Sequence, residues 1–205
     1  MRRVLGARFA TTLVAAACAL TVAACGEDEE QGAVTGEGYA FDLPEAWSDS
    51  TDRAEDLGEE VAGDIPAGDL GTQYDSLATD EPVDGFATNV NVIVQGSLAG
   101  EIDSRRFVES SRRVFTDPAL SSQFLPTSVE VTGGPTEMAE TDVGGVSGYS
   151  FDVETEAADR QLTQRFVGVV NDGSAYAITF TALADEFDSE VADLESILDG
   201  WTWDG

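Results

Sequence analysis

The chain has 205 residues, 40 of them acidic and 10 of them arginine, with no lysine, no histidine and a formal net charge of −30. Such a balance repels nucleic acid phosphates and bare anionic lipid headgroups. The missing side chains exclude an imidazole base, a Ser-His-Asp triad, a His-ligated metal and a lysine Schiff base.

Arg2, Arg3 and Arg8 form a positive start, and Phe9 to Ala24 form an apolar stretch without a charge. Val22-Ala23-Ala24-Cys25-Gly26 then has the form of a lipobox: branched apolar, small, small, cysteine. The small residues fit a signal peptidase cleft, and the thiol is the nucleophile that receives a diacylglyceryl group. Residues 1–24 are thus expected to be a lipoprotein signal peptide, and Cys25 the lipid attachment site on the extracytoplasmic face of the cell membrane. A plain A-x-A secretory signal is the alternative, and Cys18 is a poorer acceptor because it follows too short an apolar core. A spanning helix needs about 20 apolar residues, more than this stretch offers.

Cleavage removes Cys18, and lipid consumes Cys25, so no thiol remains for a disulfide or a thiolate nucleophile. Three arginines leave with the signal, which moves the charge from −30 to −33. Carboxylates, tyrosines and hydroxyls are the reactive groups left. A glycosidase-type carboxylate pair stays conceivable, but 40 acids single out no pair. The expectation is a protein without enzymatic activity and without a cofactor.

Gly26-Glu27-Asp28-Glu29-Glu30-Gln31-Gly32 is too charged to pack, so residues 25–36 are expected to be an acidic flexible tether. Residues 37–205 are expected to fold as one domain. Gly38–Pro44 alternates apolar and polar and predicts a strand, with Trp47 folding back onto the core. Ser48–Asp69, rich in acids and broken by glycines and Pro66, predicts a solvent-facing excursion with helical turns around Asp52–Val61. Thr88–Gln95 predicts a strand with Val90, Val92 and Val94 on one face and Asn89, Asn91 and Ile93 on the other.

Asp103 or Ser104 can cap a helix that runs to Thr116, burying Phe107, Val108, Ser111, Val114 and Phe115, and Asp117-Pro118 stops it. Val129–Val131, Thr136–Thr141, Ser147–Thr155, Gln161–Asn171 and Ser174–Leu183 follow as strands, with a hairpin at Asn171-Asp172-Gly173. Asp185 can cap a last helix through Phe187, Val191, Leu194, Leu198 and Trp201, ended by Gly200 in a left-handed conformation. This order describes an α+β domain, a twisted antiparallel sheet flanked by helices.

Gly38-Tyr39-Ala40-Phe41-Asp42-Leu43-Pro44-Glu45-Ala46-Trp47 resembles the opening strand and LP-x-x-W turn of the Mog1/PsbP-like fold. Asn89-Val90-Asn91-Val92, followed by an arginine-bearing helix, resembles the next element of that fold. Within it the chain is similar to actinobacterial lipoproteins of the LpqN/LpqT type. The resemblance implies an α-β-α sandwich with a non-enzymatic binding or assembly role in the cell envelope, and supplies no catalytic motif.

Arg105, Arg106, Arg112 and Arg113 fall on one helix, with 105 under 112 and 106 under 113 at seven-residue steps. They are candidates for a cationic strip that takes a carboxylate, a phosphate or a lipid headgroup. Pairing with Glu109 and the acidic surface is the plainer alternative. Asp80-Glu81-Pro82-Val83-Asp84 and Asp185-Glu186-Phe187-Asp188 are acid clusters without calcium-loop spacing, so no metal site is expected. Trp47, Trp201 and Trp203 either line an apolar cavity or belong to the core. The leading expectation is a lipid-anchored domain that recruits an envelope partner. A carrier of an envelope lipid or another apolar ligand is second, and a carboxylate-based hydrolase third.

Overall fold

The computed structural model describes residues 32–52, 74–82, 86–96, 102–125 and 129–204. The signal segment with Cys25, the acidic run at 26–31 and most of the excursion between 53 and 73 lie outside the described residues.

Among the described residues the long elements are two antiparallel sheets and three helices. β1 (Ala33–Gly36), β2 (Tyr39–Asp42) and β11 (Thr202–Trp203) form a three-stranded sheet in the order β1-β2-β11. The larger sheet contains β3 (Ser48–Asp49), β4 (Tyr74–Thr79), β5 (Asn89–Gln95), β6 (Val129–Gly133), β7 (Ala139–Val143), β8 (Val146–Ala157), β9 (Arg160–Asn171) and β10 (Ser174–Leu183). Its order is β3-β4-β5-β10-β9-β8, with β7 pairing with the first part of β8 and β6 with the last. The helices are α1 (Ser104–Thr116), α2 (Pro118–Phe124) and α3 (Phe187–Asp199).

Strand alternation assigns the two faces. On β10, Tyr176, Ile178, Phe180 and Ala182 join a core with Phe187, Leu194, Ile197 and Leu198 of α3 and with Tyr39 and Phe41 of the small sheet. Ala175 and Ala177, from the alternate positions, join Phe107, Val108, Val114 and Phe115 of α1. Helix α1 therefore covers one face of the large sheet, while α3 and the small sheet cover the other. This is the expected α+β arrangement.

Val90, Val92 and Val94 turn toward α3, and Ile93 toward α1, as their alternation requires. All five residues expected on the buried stripe of α1 are buried. A Cβ at Gly168 on β9 would lie 2.4 Å from Val108 Cγ2 and 2.9 Å from Phe107 Cδ1, so the missing side chain lets α1 rest on the strand. The hairpin after Asn171 is present, with Asp172 and Gly173 both at positive φ as a two-residue turn demands.

Several boundaries differ from expectation. Ala33–Gly36 is a strand rather than tether, because β2 supplies ladder partners that a four-residue segment cannot signal alone. Strand β4 carries no alternating pattern because Ser76 is buried and bonded to the Tyr39 hydroxyl at 2.7 Å. Asp117 closes α1 and also caps α2, accepting from Ala119 N at 2.9 Å. The strand expected at Thr136–Thr141 lies at Ala139–Val143, because Thr136 instead bonds through its backbone N–H to Asp152 O.

At α3, Glu186 rather than Asp185 occupies the cap, without a side-chain hydrogen bond. Gly200 ends α3 at φ −80, not left-handed, because the chain continues directly into Trp201 and β11. Trp201 lies beyond the helix and stacks on Tyr39 at 4.5 Å and Phe41 at 5.1 Å. No helix among the described residues is long and apolar enough to cross a membrane.

Candidate functional site: a cationic helix and an acidic helix

Asp103 caps α1 by accepting from Arg106 N at 2.8 Å. Ser104 is used differently. Its hydroxyl donates to Ser147 O (2.9 Å) and accepts from Val170 N (3.0 Å), which pins the start of the helix to β8 and β9. The amphipathic spacing then buries the apolar side and leaves Arg105, Arg106, Glu109 and Arg113 exposed.

The four arginines are not equivalent. Arg112 turns back on the protein: its Nε donates to Thr136 O (2.9 Å) and its Nη2 to Pro135 O (3.0 Å), tying the loop before β7 to the helix. Arg105 pairs with Glu109 at 3.1 Å, one turn on, and stands 5.9 Å from the centroid of the Tyr149 ring. Arg106 and Arg113 complete the strip on the solvent side. The seven-residue step places Arg105, Arg106 and Arg113 on the exposed side of the helix, but it could not reveal that Arg112 serves the backbone of a loop more than twenty positions away.

The opposite face is acidic. Helix α3 contains Asp188, Glu190, Asp193, Glu195 and Asp199 and no cation. Glu190 and Asp193 meet Asp80 from the end of β4, with carboxylate oxygens of all three within 4.8 Å of one another. Trp47 Nε1 donates to Asp193 Oδ2 at 3.1 Å. Partial burial, followed by the charge of Asp193, holds the Asp80 carboxyl above its usual range. Partial burial and the charges of Asp80 and Asp193 do the same for Glu190. This group escapes sequence reasoning because Asp80 is 110 positions before Glu190. The three-residue step from Glu190 to Asp193 was its visible half.

Beside α3, Arg165 of β9 forms a two-point contact with its cross-strand partner Asp152, at 2.7 and 2.9 Å. Its guanidinium lies 5.3 Å from the Phe187 ring centroid. The tryptophans belong to the packed interior: Trp47 and Trp201 are buried, and Trp203 donates to Val143 O at 2.9 Å.

A third feature lies on the α1 face of the sheet. Register places Gln164, Thr181, Asn89 and Thr79 side by side across four strands, with Thr155 on the same face of β8 but opposite Leu162, one step along the strand pair. All are uncharged and buried. Gln164 Nε2 donates to Thr181 Oγ1 (3.3 Å) and Asn89 Nδ2 to Ala87 O (3.0 Å). Thr155 Oγ1 and Gln164 Oε1 have no hydrogen-bond partner among the described residues.

No protein-family model and no curated protein matches the sequence. Solved structures do match. Cyanobacterial PsbP (CyanoP) from Synechocystis sp. PCC 6803 is similar with a TM-score of 0.50 and 13% identity, over 89% of this chain and 98% of that one. LpqN of Mycobacterium tuberculosis, a protein involved in cell envelope biogenesis, is similar with a TM-score of 0.49 and 15% identity, over 85% of this chain and 90% of that one. The chain has the PsbP-like fold that its opening strand and LP-x-x-W turn resemble.

Proposed function

We propose that the protein is a lipid-anchored envelope protein whose α+β domain is a non-catalytic binding module. The observation that carries this reading is Val22-Ala23-Ala24-Cys25 behind an uncharged apolar stretch. A diacylglyceryl group at Cys25 holds the domain at the extracytoplasmic face of the membrane, and the acidic residues that follow keep it off an anionic surface. The absence of His, Lys and a spare thiol supports binding over catalysis.

Within the domain, α1 is the docking surface. Arg105, Arg106 and Arg113 are exposed on this helix in a chain dominated by carboxylates, and Arg112 braces the loop beside them. Guanidinium groups favour a partner that offers carboxylates or other anions. The reading is tested by photo-crosslinking and capture from intact membranes, with lipid extraction of the captured material. Arg106→Gln/Arg113→Gln should lose the captured partner while keeping the parent's thermal midpoint. Undiminished capture by the double variant contradicts the assignment of α1.

A further inference from the structure

The cationic and acidic helices lie on opposite faces of one sheet. Over thirteen residues each, α1 holds four arginines and one glutamate, whereas α3 holds five carboxylates and no cation. Their exposed positions also match in spacing. Arg106 and Arg113 stand seven residues apart, as do Asp188 and Glu195, and two helical turns separate each pair by about 10.5 Å along its axis. The other exposed positions within this stretch of α3 are Ser189 and Ala192, small enough to admit a second helix.

The α3 face has local use for a further cation. Asp80, Glu190 and Asp193 crowd together there. The neighbouring arginine, Arg165, lies in the field of Asp188 and Glu195 but is held at two points by Asp152, so one shared cation stands against the five carboxylates of α3. The part of the chain that begins at Cys25 has seven arginines, and four of them are on α1. The cationic surface that fits α3 and the acidic surface that fits α1 are thus both present on the same molecule.

We propose that the α1 face of one copy docks on the α3 face of another, so that the partner is a second copy of this chain. The inference rests on reading α1 as a docking strip and names what the strip takes. Because the two surfaces lie on opposite sides of the sheet, the contact is heterologous: each copy in a pair keeps one surface open, and anchored copies extend into rows.

The charge of −33 on the part of the chain from Cys25 onward, seven arginines against 40 acids, gives this contact an unusual salt dependence. At low ionic strength, repulsion between whole molecules keeps copies apart. Near 0.15 M the Debye length is about 8 Å, so distant charges drop out while facing pairs are still felt; at 1 M it is about 3 Å and the pairs fade too. Self-association therefore peaks at intermediate salt.

The experiment is sedimentation velocity of the mature lipidated protein in a nonionic detergent, from 0.02 to 1 M salt as rough limits of the Debye argument. Two charge-reversed variants are compared with the parent, Arg106→Glu/Arg113→Glu and Asp188→Arg/Glu195→Arg, each checked for an unchanged thermal midpoint. The parent should associate most strongly at intermediate salt, and each variant alone should associate about tenfold more weakly or worse. An equimolar mixture of the two should regain association, because each then meets a complementary face. A parent that stays monomeric across the salt range overturns the inference, as does a folded α1 variant that associates like the parent. Monomeric parent protein whose membrane capture still depends on Arg106 and Arg113 removes the second copy as partner but leaves α1 as the docking surface.

Discussion

Glu190 shows how a single side chain records the field around it. Its carboxyl titrates above the usual range because it is partly buried and faces Asp80 and Asp193. A folded-state value above the unfolded one means that the native protein binds the proton first. The penalty of ionisation is thus fully present at neutral pH and is relieved as pH falls toward about 4, the ordinary carboxylate range. Glu190→Gln should raise stability at pH 7 by about 0.5–1 kcal/mol and flatten the gain in thermal midpoint between neutral pH and about pH 5. A loss of stability at pH 7 means that Glu190 makes a favourable contact that outweighs the crowding. Thr155 poses the opposite problem, a buried hydroxyl without a partner among the described residues. Thr155→Val keeps the branched shape and should be neutral or stabilising by up to about 1 kcal/mol in denaturant melts. A cost above about 1 kcal/mol shows that the hydroxyl is satisfied, for which an internal water is the available partner.

At the scale of elements, stability depends on how closely the helices approach the sheet. On the α3 side, Leu194 is buried against the aromatic core, and Leu194→Ala should cost about 2–5 kcal/mol. On the α1 side, Gly168→Ala pushes a methyl into Val108 and Phe107. Overpacking costs about 1–3 kcal/mol, against up to about 1 kcal/mol gained by removing a glycine from a strand. The variant should therefore be less stable in urea, and one as stable as the parent shows that α1 can shift away cheaply. The sequence makes both helices readable, because their apolar spacing of three and four residues needs no knowledge of the partner. It makes β5, β8, β9 and β10 readable for the same reason. Strand β11 was hidden because its pairing joins segments far apart in the chain, as Thr202 with Ala40 and Trp203 with Tyr39 show. Strands β1 and β4 pair with the next strand but carry too short or too irregular an apolar pattern to stand out. The arginine strip was legible as a spacing, while the Asp80–Glu190–Asp193 group exists only after folding.

For the whole molecule, charge and anchoring set the context for the site. Net charge alone predicts a repulsive particle, yet the two long helices carry opposite charge on opposite sides of the sheet. The anchor proposed at Cys25 would confine that domain near the membrane and raise its local concentration there, so that even weak contacts between surfaces would become populated. Without the anchor, this account of the protein as an envelope module loses its footing. The direct measurement is mass spectrometry of the N-terminal peptide of protein purified from membranes after growth with an alkyne-tagged fatty acid. The account predicts that the mature chain begins at Cys25 with a diacylglyceryl modification, and that Cys25→Ser abolishes both the tag and the membrane retention. A mature chain with unmodified Cys25, or tag persisting on the Cys25→Ser protein, contradicts it.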